Sequence, residues 1–351
     1  MAGFKNDPAA FSPIECYVAV KDFDQVNRLE RLRQSGADAT IGRRWNRSVE
    51  KGLLARAVLV PGAPVEVKAS RELDEVRGVV QLDDGELLVS SDGFVLRLDQ
   101  HFDMVRSYHS KNFGLIHNIA LKDDGNTLLV AATGTASIVE LSLLSGGTTW
   151  EWVTWEHGWN PDMDGVLRTR SIEQYWDAIY AGRQARFVQI GHPRCPLPLV
   201  GARTTCPNSV CYRGDKVLAT LIRCGTVVEI DRTTGQWTTV IQGLSDMPHG
   251  ILPCGDGWLV SDTRSGAVFT FDKAFVPQQC ITLINLPKHP GLGAAEWIQH
   301  TFPLGDDRFI VCDAHRGIIL LDLRKRAYAI CAPDPTWSVH LVEPICSVQA
   351  V

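Results

Sequence analysis

The sequence predicts an all-β protein, a six-bladed β-propeller, on two observations. A polar residue followed two positions later by an apolar one recurs through the chain, in Val76-Arg77-Gly78-Val79, Ile116-His117-Asn118-Ile119, Pro207-Asn208-Ser209-Val210, Pro248-His249-Gly250-Ile251, Gln299-His300-Thr301-Phe302 and Val339-His340-Leu341-Val342. In most repeats a polar turn such as Asp83-Asp84-Gly85 or Gly255-Asp256-Gly257 follows, and then two more apolar runs, Leu128-Leu129-Val130 and Ile138-Val139-Glu140-Leu141 for instance. Short strands at even spacing with turn residues between them are the mark of antiparallel meanders.

The polar positions are separated by 40, 91, 41, 51 and 40 residues. The long interval is one repeat plus an insertion, so the count is six, inside the ~4–8 blades usual for radial repeats of four-stranded sheets. Only 11 residues follow His340, too few to finish a sheet. The missing outer strands are therefore expected from the N-terminal side, with Ala55–Val60 and Val65–Val67 as candidates. Residues 1–50 are read as an N-terminal segment with a short helix over Asp24–Gln34, stopped by Gly36. Residues 51–351 are read as the propeller. An insertion over 156–200, with a helix predicted over Ile172–Arg183, joins blades 2 and 3 and is expected to cover the channel mouth.

A chain of 351 residues with 45% apolar content can bury a large core. Its formal charge of −5 argues against nucleic acid as the main partner. No run reaches the ~18 apolar residues of a membrane span and the first residues hold no apolar signal core, so a cytoplasmic protein without a membrane partner is expected. Ten cysteines occur without any CxxC, and nine of them follow residue 190. Buried free thiols fit this better than a disulfide framework.

The first strand of each propeller blade lines the central channel, so Arg77, His117, Asn208, His249, His300 and His340 are expected around its mouth. Three assignments follow. As metal ligands, His117, His249, His300 and His340 suit Fe, Cu or Zn, since neutral imidazole without carboxylates favours a transition metal. As a metal-free catalytic set, Arg77, Asn208 and His249 supply charge stabilisation and a nucleophile or general base for a small-molecule substrate. In the structural alternative each histidine only hydrogen-bonds neighbouring strands, as in WD-repeat propellers, and the disc serves as a binding platform. The Trp-Asp pair of those repeats is missing here.

A second ring is expected from the turns between second and third strands. Arg223, Arg264 and His315 share one slot there and would attract an anionic substrate. Asp92, Asp262 and Asp313 share another, where turn formation explains them. Trp297 and Trp337 repeat a Trp-x-x-His spacing and either pack between blades or wall the site. Trp152, Trp155, Trp159 and Trp176, in and beside the insertion, are candidates for an aromatic wall, and His157, Asp162, Asp164 and His192 for a mobile acid or base.

In pattern, residues 70–345 resemble the six-bladed propellers of the NHL, gluconolactonase and arylsulfate-sulfotransferase group. Pro207-Asn208-Ser209-Val210 is similar to the His-x-Asn-Ser-Ile segment of the sulfotransferases, with Cys206 where those have histidine. The resemblance implies chemistry in the channel, metal-assisted in gluconolactonases and peptide-amidating lyases, and carried by histidine and arginine in sulfotransferases. A lyase, oxygenase or transferase acting on a small anionic or aromatic substrate is the expectation.

Overall fold

The computed structural model describes residues 3–35, 50–160, 165–187, 205–245, 247–288, 292 and 294–345. Within them the chain forms six antiparallel sheets arranged as a propeller. Blade 1 consists of Val76–Gln81, Leu87–Ser91, Phe94–Leu98 and Met104–Tyr108, and blade 2 of Ile116–Leu121, Thr127–Ala132, Ser137–Ser142 and Thr148–Val153. Blade 3 runs from Pro207–Arg213 to Trp237–Ile241, blade 4 from Pro248–Cys254 to Pro277–Thr282 and blade 5 from Ile298–Gly305 to Ala327–Cys331. The first strands of successive blades touch all the way round, blade 6 against blade 1 included.

Side-chain alternation explains the layering. Successive residues of a strand point to opposite faces, and each face of a blade packs on a neighbour, so both sets are apolar. Six buried clusters result, one at each blade junction; Leu88, Val95, Leu128 and Val139 lie between blades 1 and 2, for example, and Cys16, Val18, Ile310 and Cys312 between blades 5 and 6. Hairpins are closed by aspartates that accept backbone N–H groups two or three residues on. Asp124 Oδ1 takes those of Asn126 (2.8 Å) and Thr127 (2.9 Å), and Asp231 Oδ1 those of Thr233 and Thr234 (both 2.9 Å).

Blade 6 is composite: Val339–Pro344 is its first strand, and Ile14–Val20, Lys51–Leu59 and Glu66–Asp74 complete it. The N-terminal side thus supplies three strands, one of them from within residues 1–50, which does more than carry a helix. Its helix, α1, spans Gln25–Ser35; Gly36 lies outside the described residues. A further strand, Lys5–Asn6, pairs in parallel with Ala327–Cys331 at the rim of blade 5. The described cysteines are free thiols. No helix among the described residues is long and apolar enough to cross a membrane.

Candidate functional site

Strand order carries the ring residues to the axis. In blades 1, 4 and 6 the residue just before the ring position, Val76, Pro248 or Val339, pairs with the end of the neighbouring strand, and register shifts at Val76/Val79 and His249/Leu252 kink the first strand there. The kink at His249 depends on Gly250, whose φ of +63° is left-handed backbone and whose Cα faces the His300 ring: a Cβ would sit 3.4 Å from His300 Cδ2.

The imidazoles meet around Arg77 and His117. Ring centroids of His117 and His340 are 4.8 Å apart, and those of His117 and His249 5.6 Å. Arg77 Nη1 lies 3.2 Å from His117 Nδ1, and Arg77 Nη2 is 2.6 Å from the buried carboxylate of Glu75. Asn208 stands on the first strand between those of His117 and His249; its Oδ1 accepts from Thr220 Oγ1, and its buried Nδ2 has no hydrogen-bond partner.

Hydrogen-bond partners set the tautomers. A guanidinium only donates, so His117 Nδ1 accepts from Arg77 and its proton sits on Nε2. His340 Nδ1 faces the Arg77 carbonyl at 2.9 Å, an acceptor, so it donates there and leaves Nε2 as a bare lone pair. His249 Nδ1 is 2.7 Å from Thr263 Oγ1, whose own proton goes to the Ile298 carbonyl (2.6 Å), so His249 also donates from Nδ1. The Nε2 atoms of His117 and His340 and Nδ1 of His300 are buried without a partner.

Burial pushes every one of these imidazoles toward the neutral form. It holds His117 well below its usual range, helped by His340, Arg77 and His249, and does the same to His340, helped by Arg77 and His249. Burial lowers His249 and His300 to about 4, with Arg77 contributing for the first and His249 for the second.

The other predicted residues are placed as follows. Arg223 lies in the one-turn helix Ile222–Cys224 and Arg264 in the matching turn of blade 4, both half-buried. His315 is buried in the blade 5 turn with Nδ1 on the Ala295 carbonyl at 3.1 Å. Asp313 accepts the N–H groups of its own turn, from His315 and Arg316, whereas Asp262 accepts that of Ser245, 17 residues earlier, and so departs from the turn-forming role expected of it. Trp337 packs into the cluster between blades 5 and 6, and Trp297 Nε1 donates to Gln299 Oε1 (2.8 Å).

At the start of the insertion, His157 stacks on Trp152 of blade 2 (5.0 Å) and Trp159 packs tilted on Trp237 (4.2 Å), between blades 2 and 3. Helix α2, Ile172–Tyr180, is shorter than expected and is N-capped by Ser171. A cavity of about 620 Å³ lies beside it, lined by Trp155, Glu156, Asn160, Arg168 and Arg170 among others, while Trp176 is exposed. Thr154 and Thr205, at the two ends of the insertion, meet at 2.9 Å. Asp162, Asp164, His192 and the stretch 188–200 lie outside the described residues.

Sequence reasoning missed Glu75, Lys21 and Asp22. Glu75 directly precedes the first blade and holds Arg77; the other two lie in the turn between the second and third strands of blade 6.

No protein-family model matches the chain, and no curated protein matches it in sequence. Solved structures do match. A protein of unknown function from Bacteroides caccae has 12% identity and a TM-score of 0.54, covering 85% of this chain and 99% of that one. A chain of a nidogen/laminin complex has 9% identity and a TM-score of 0.54, covering 96% and 99%. Virginiamycin B lyase from Staphylococcus aureus has 9% identity and a TM-score of 0.46, covering 71% and 67%. At these identities the likeness is one of fold. It establishes the propeller and leaves the chemistry to the residues of the channel.

The donor set has the chemistry of a transition-metal site, neutral imidazoles with bare nitrogens. Its geometry is less suited: among the described residues no three His, Cys, Asp or Glu side chains are placed to hold one ion. The Arg77 guanidinium also occupies Nδ1 of His117 and brings a positive charge to the ring.

Proposed function

We propose that the channel mouth is an acid–base site for a small anionic molecule, of the lyase or transferase type, working without a metal. The observation that supports it is the split in tautomers around Arg77. His340 and His249 offer bare Nε2 atoms, whereas His117 offers an Nε2–H donor beside a guanidinium. A base needs the first kind of nitrogen and a developing oxyanion the second.

In this reading His340 or His249 takes a proton from a carbon next to a carbonyl or carboxylate. The electron pair left on the substrate moves onto oxygen, where Arg77, His117 Nε2–H and Asn208 Nδ2 stabilise it, and a β-leaving group then departs. Neutral imidazoles are in the right state for this at pH 7. Glu75 keeps the guanidinium in place.

The test is a panel of small hydroxy acids, lactones and sulfate esters, assayed with wild-type protein and with His340→Gln, His249→Gln and Arg77→Met. Turnover of the accepted compound falls by roughly 10²–10⁴ in the variant lacking the base. Activity untouched by all three substitutions overturns the proposal. Metal analysis of the same preparations decides the second reading, in which His117, His249, His300 and His340 hold Fe, Cu or Zn. That reading is favoured if about one equivalent copurifies and is lost in the His249→Ala, His300→Ala double variant.

A further inference from the structure

The turn between the second and third strands opens on the channel mouth in every blade. In blades 1 to 5 it is short; in blade 6 it begins at Lys21 and is followed by α1. Register fixes its first residue. Ser91, Ala132, Leu221 and Asp262 pair with the residue just before the ring position of their blades, as Val20 pairs with Val339. Lys21 therefore takes the place held by Asp92, Thr133, Ile222 and Thr263. Its backbone N–H continues the ladder onto the Ser338 carbonyl (2.9 Å), two residues before His340.

The side chain of Lys21 is 23% exposed and its ammonium is 3.0 Å from Asp22. That carboxylate is itself buried, accepts from Ser338 Oγ and is also shared with Arg28 at 2.8 Å, so one anion serves two cations. Glu75 is already paired with Arg77. Glu50, the third acid of the group, is shifted toward its neutral form by burial and by Asp22. Lys21 and Arg28 thus share the carboxylate of Asp22, while Arg77 takes that of Glu75. The positive charge of Lys21 acts on Arg77, His117 and His340. A partly buried ammonium that shares its carboxylate with an arginine is stabilised by an anion from outside the chain.

We propose that Lys21 anchors the anionic group of the channel ligand, a carboxylate, sulfate or phosphate, which sits between its ammonium and the Arg77 guanidinium. This rests on the channel mouth being the ligand site and adds a binding residue from the N-terminal turn of blade 6. Lys21 lies one position before the slot of Arg223 and Arg264, in the turn of a blade where that slot holds Asp22.

The experiment follows the imidazole ¹⁵N signals of His117 and His340 while acetate, sulfate or phosphate replaces chloride at constant ionic strength. The three arms distinguish the anion class. At least one anion is expected to shift both signals saturably. Lys21→Met weakens that binding by roughly fivefold or more, the loss of one charge-assisted contact, while Lys68→Met on the exposed outer strand leaves it unchanged. If Lys21→Met fails to melt cooperatively, Lys21→Arg and Lys21→Gln replace it, the first keeping the affinity and the second losing it. Absence of any saturable shift in wild-type protein, or a loss below fivefold on removing the ammonium, overturns the proposal. The spectra before anion is added report the acid–base reading separately, since that reading requires a proton on Nε2 of His117 and none on Nε2 of His340.

Discussion

His117 and His340 both touch Arg77, one through its side chain and one through its carbonyl, and that difference gives them opposite tautomers. The repeat in the sequence exposes which residues share the ring, because a propeller presents the same strand position six times. It does not expose the tautomers, since the deciding partners are a backbone carbonyl and the hydroxyl of Thr263. Burial also makes these residues sensors of acid. His249 and His300 titrate near 4 in the folded protein and near ~6.5 when unfolded. Between those values the unfolded chain binds more protons, so stability is full above about pH 6.5 and falls as pH drops toward 4. The loss is about 3 kcal/mol per histidine at most. Urea denaturation at pH 7.5 and 4.5 checks this: His300→Gln, which cannot titrate, loses less stability between the two than wild type does. Equal losses would show that the His300 ring is not held neutral by burial. Glu343 has the opposite sign. Burial raises its carboxyl to about 8, so its contribution declines as pH rises from ~4.5 through 8.

At the scale of the element, the informative departure is the strand Ile14–Val20. The sequence pattern assigns it to an N-terminal segment, because its partners are Lys51–Leu59 and a strand more than three hundred residues away. Hydrophobic alternation shows a strand only its own faces, and a pairing this remote leaves no local trace. For the same reason Lys21 and Asp22 escape the repeat: they sit in a turn that α1 has lengthened. Gly52 holds this turn against the third strand. A Cβ there would stand 2.3 Å from the Val20 carbonyl oxygen and 2.7 Å from that of Lys21, both rigid backbone. Gly52→Ala must therefore push the two strands apart, at a cost of about 1–3 kcal/mol, and shift Lys21 from the mouth. The expected outcome is a lower melting temperature together with weaker anion binding. Alanine at Gly85, which meets nothing within 4 Å, strains only its own φ of +83° and lowers the melt without touching the anion.

For the whole molecule, the consequence of a composite sixth blade is that both ends of the chain stabilise the same sheet. Val339–Pro344 has its only antiparallel partner, among the described residues, in Ile14–Val20. The clusters on either side of blade 6 draw on Val18 and Val20 toward blade 5 and on Tyr17 and Ala19 toward blade 1. Removing residues 1–20 would strip both junctions at once. It would also leave the strand carrying His340 without a neighbour inside its own sheet. By contrast, Lys5–Asn6 lies outside this seal: it adds two exposed residues to the edge of blade 5, through backbone bonds of 2.9 Å from Lys5 to Arg326 and from Asp7 to Tyr328. At roughly 0.5–1.5 kcal/mol per net hydrogen bond, with about 1–2 kcal/mol more for the partly buried Phe4 on the cluster between blades 4 and 5, deletion of residues 1–7 costs at most about 5 kcal/mol and should preserve one cooperative transition. Deletion of residues 1–20 should abolish that transition, because a ring opened at one blade exposes two apolar faces that no other blade can cover. Thermal melts followed by near-ultraviolet circular dichroism distinguish the two deletions. A cooperative melt surviving the longer one would mean that the five remaining blades hold the ring without the sixth, and that the meeting of the chain ends is incidental to stability.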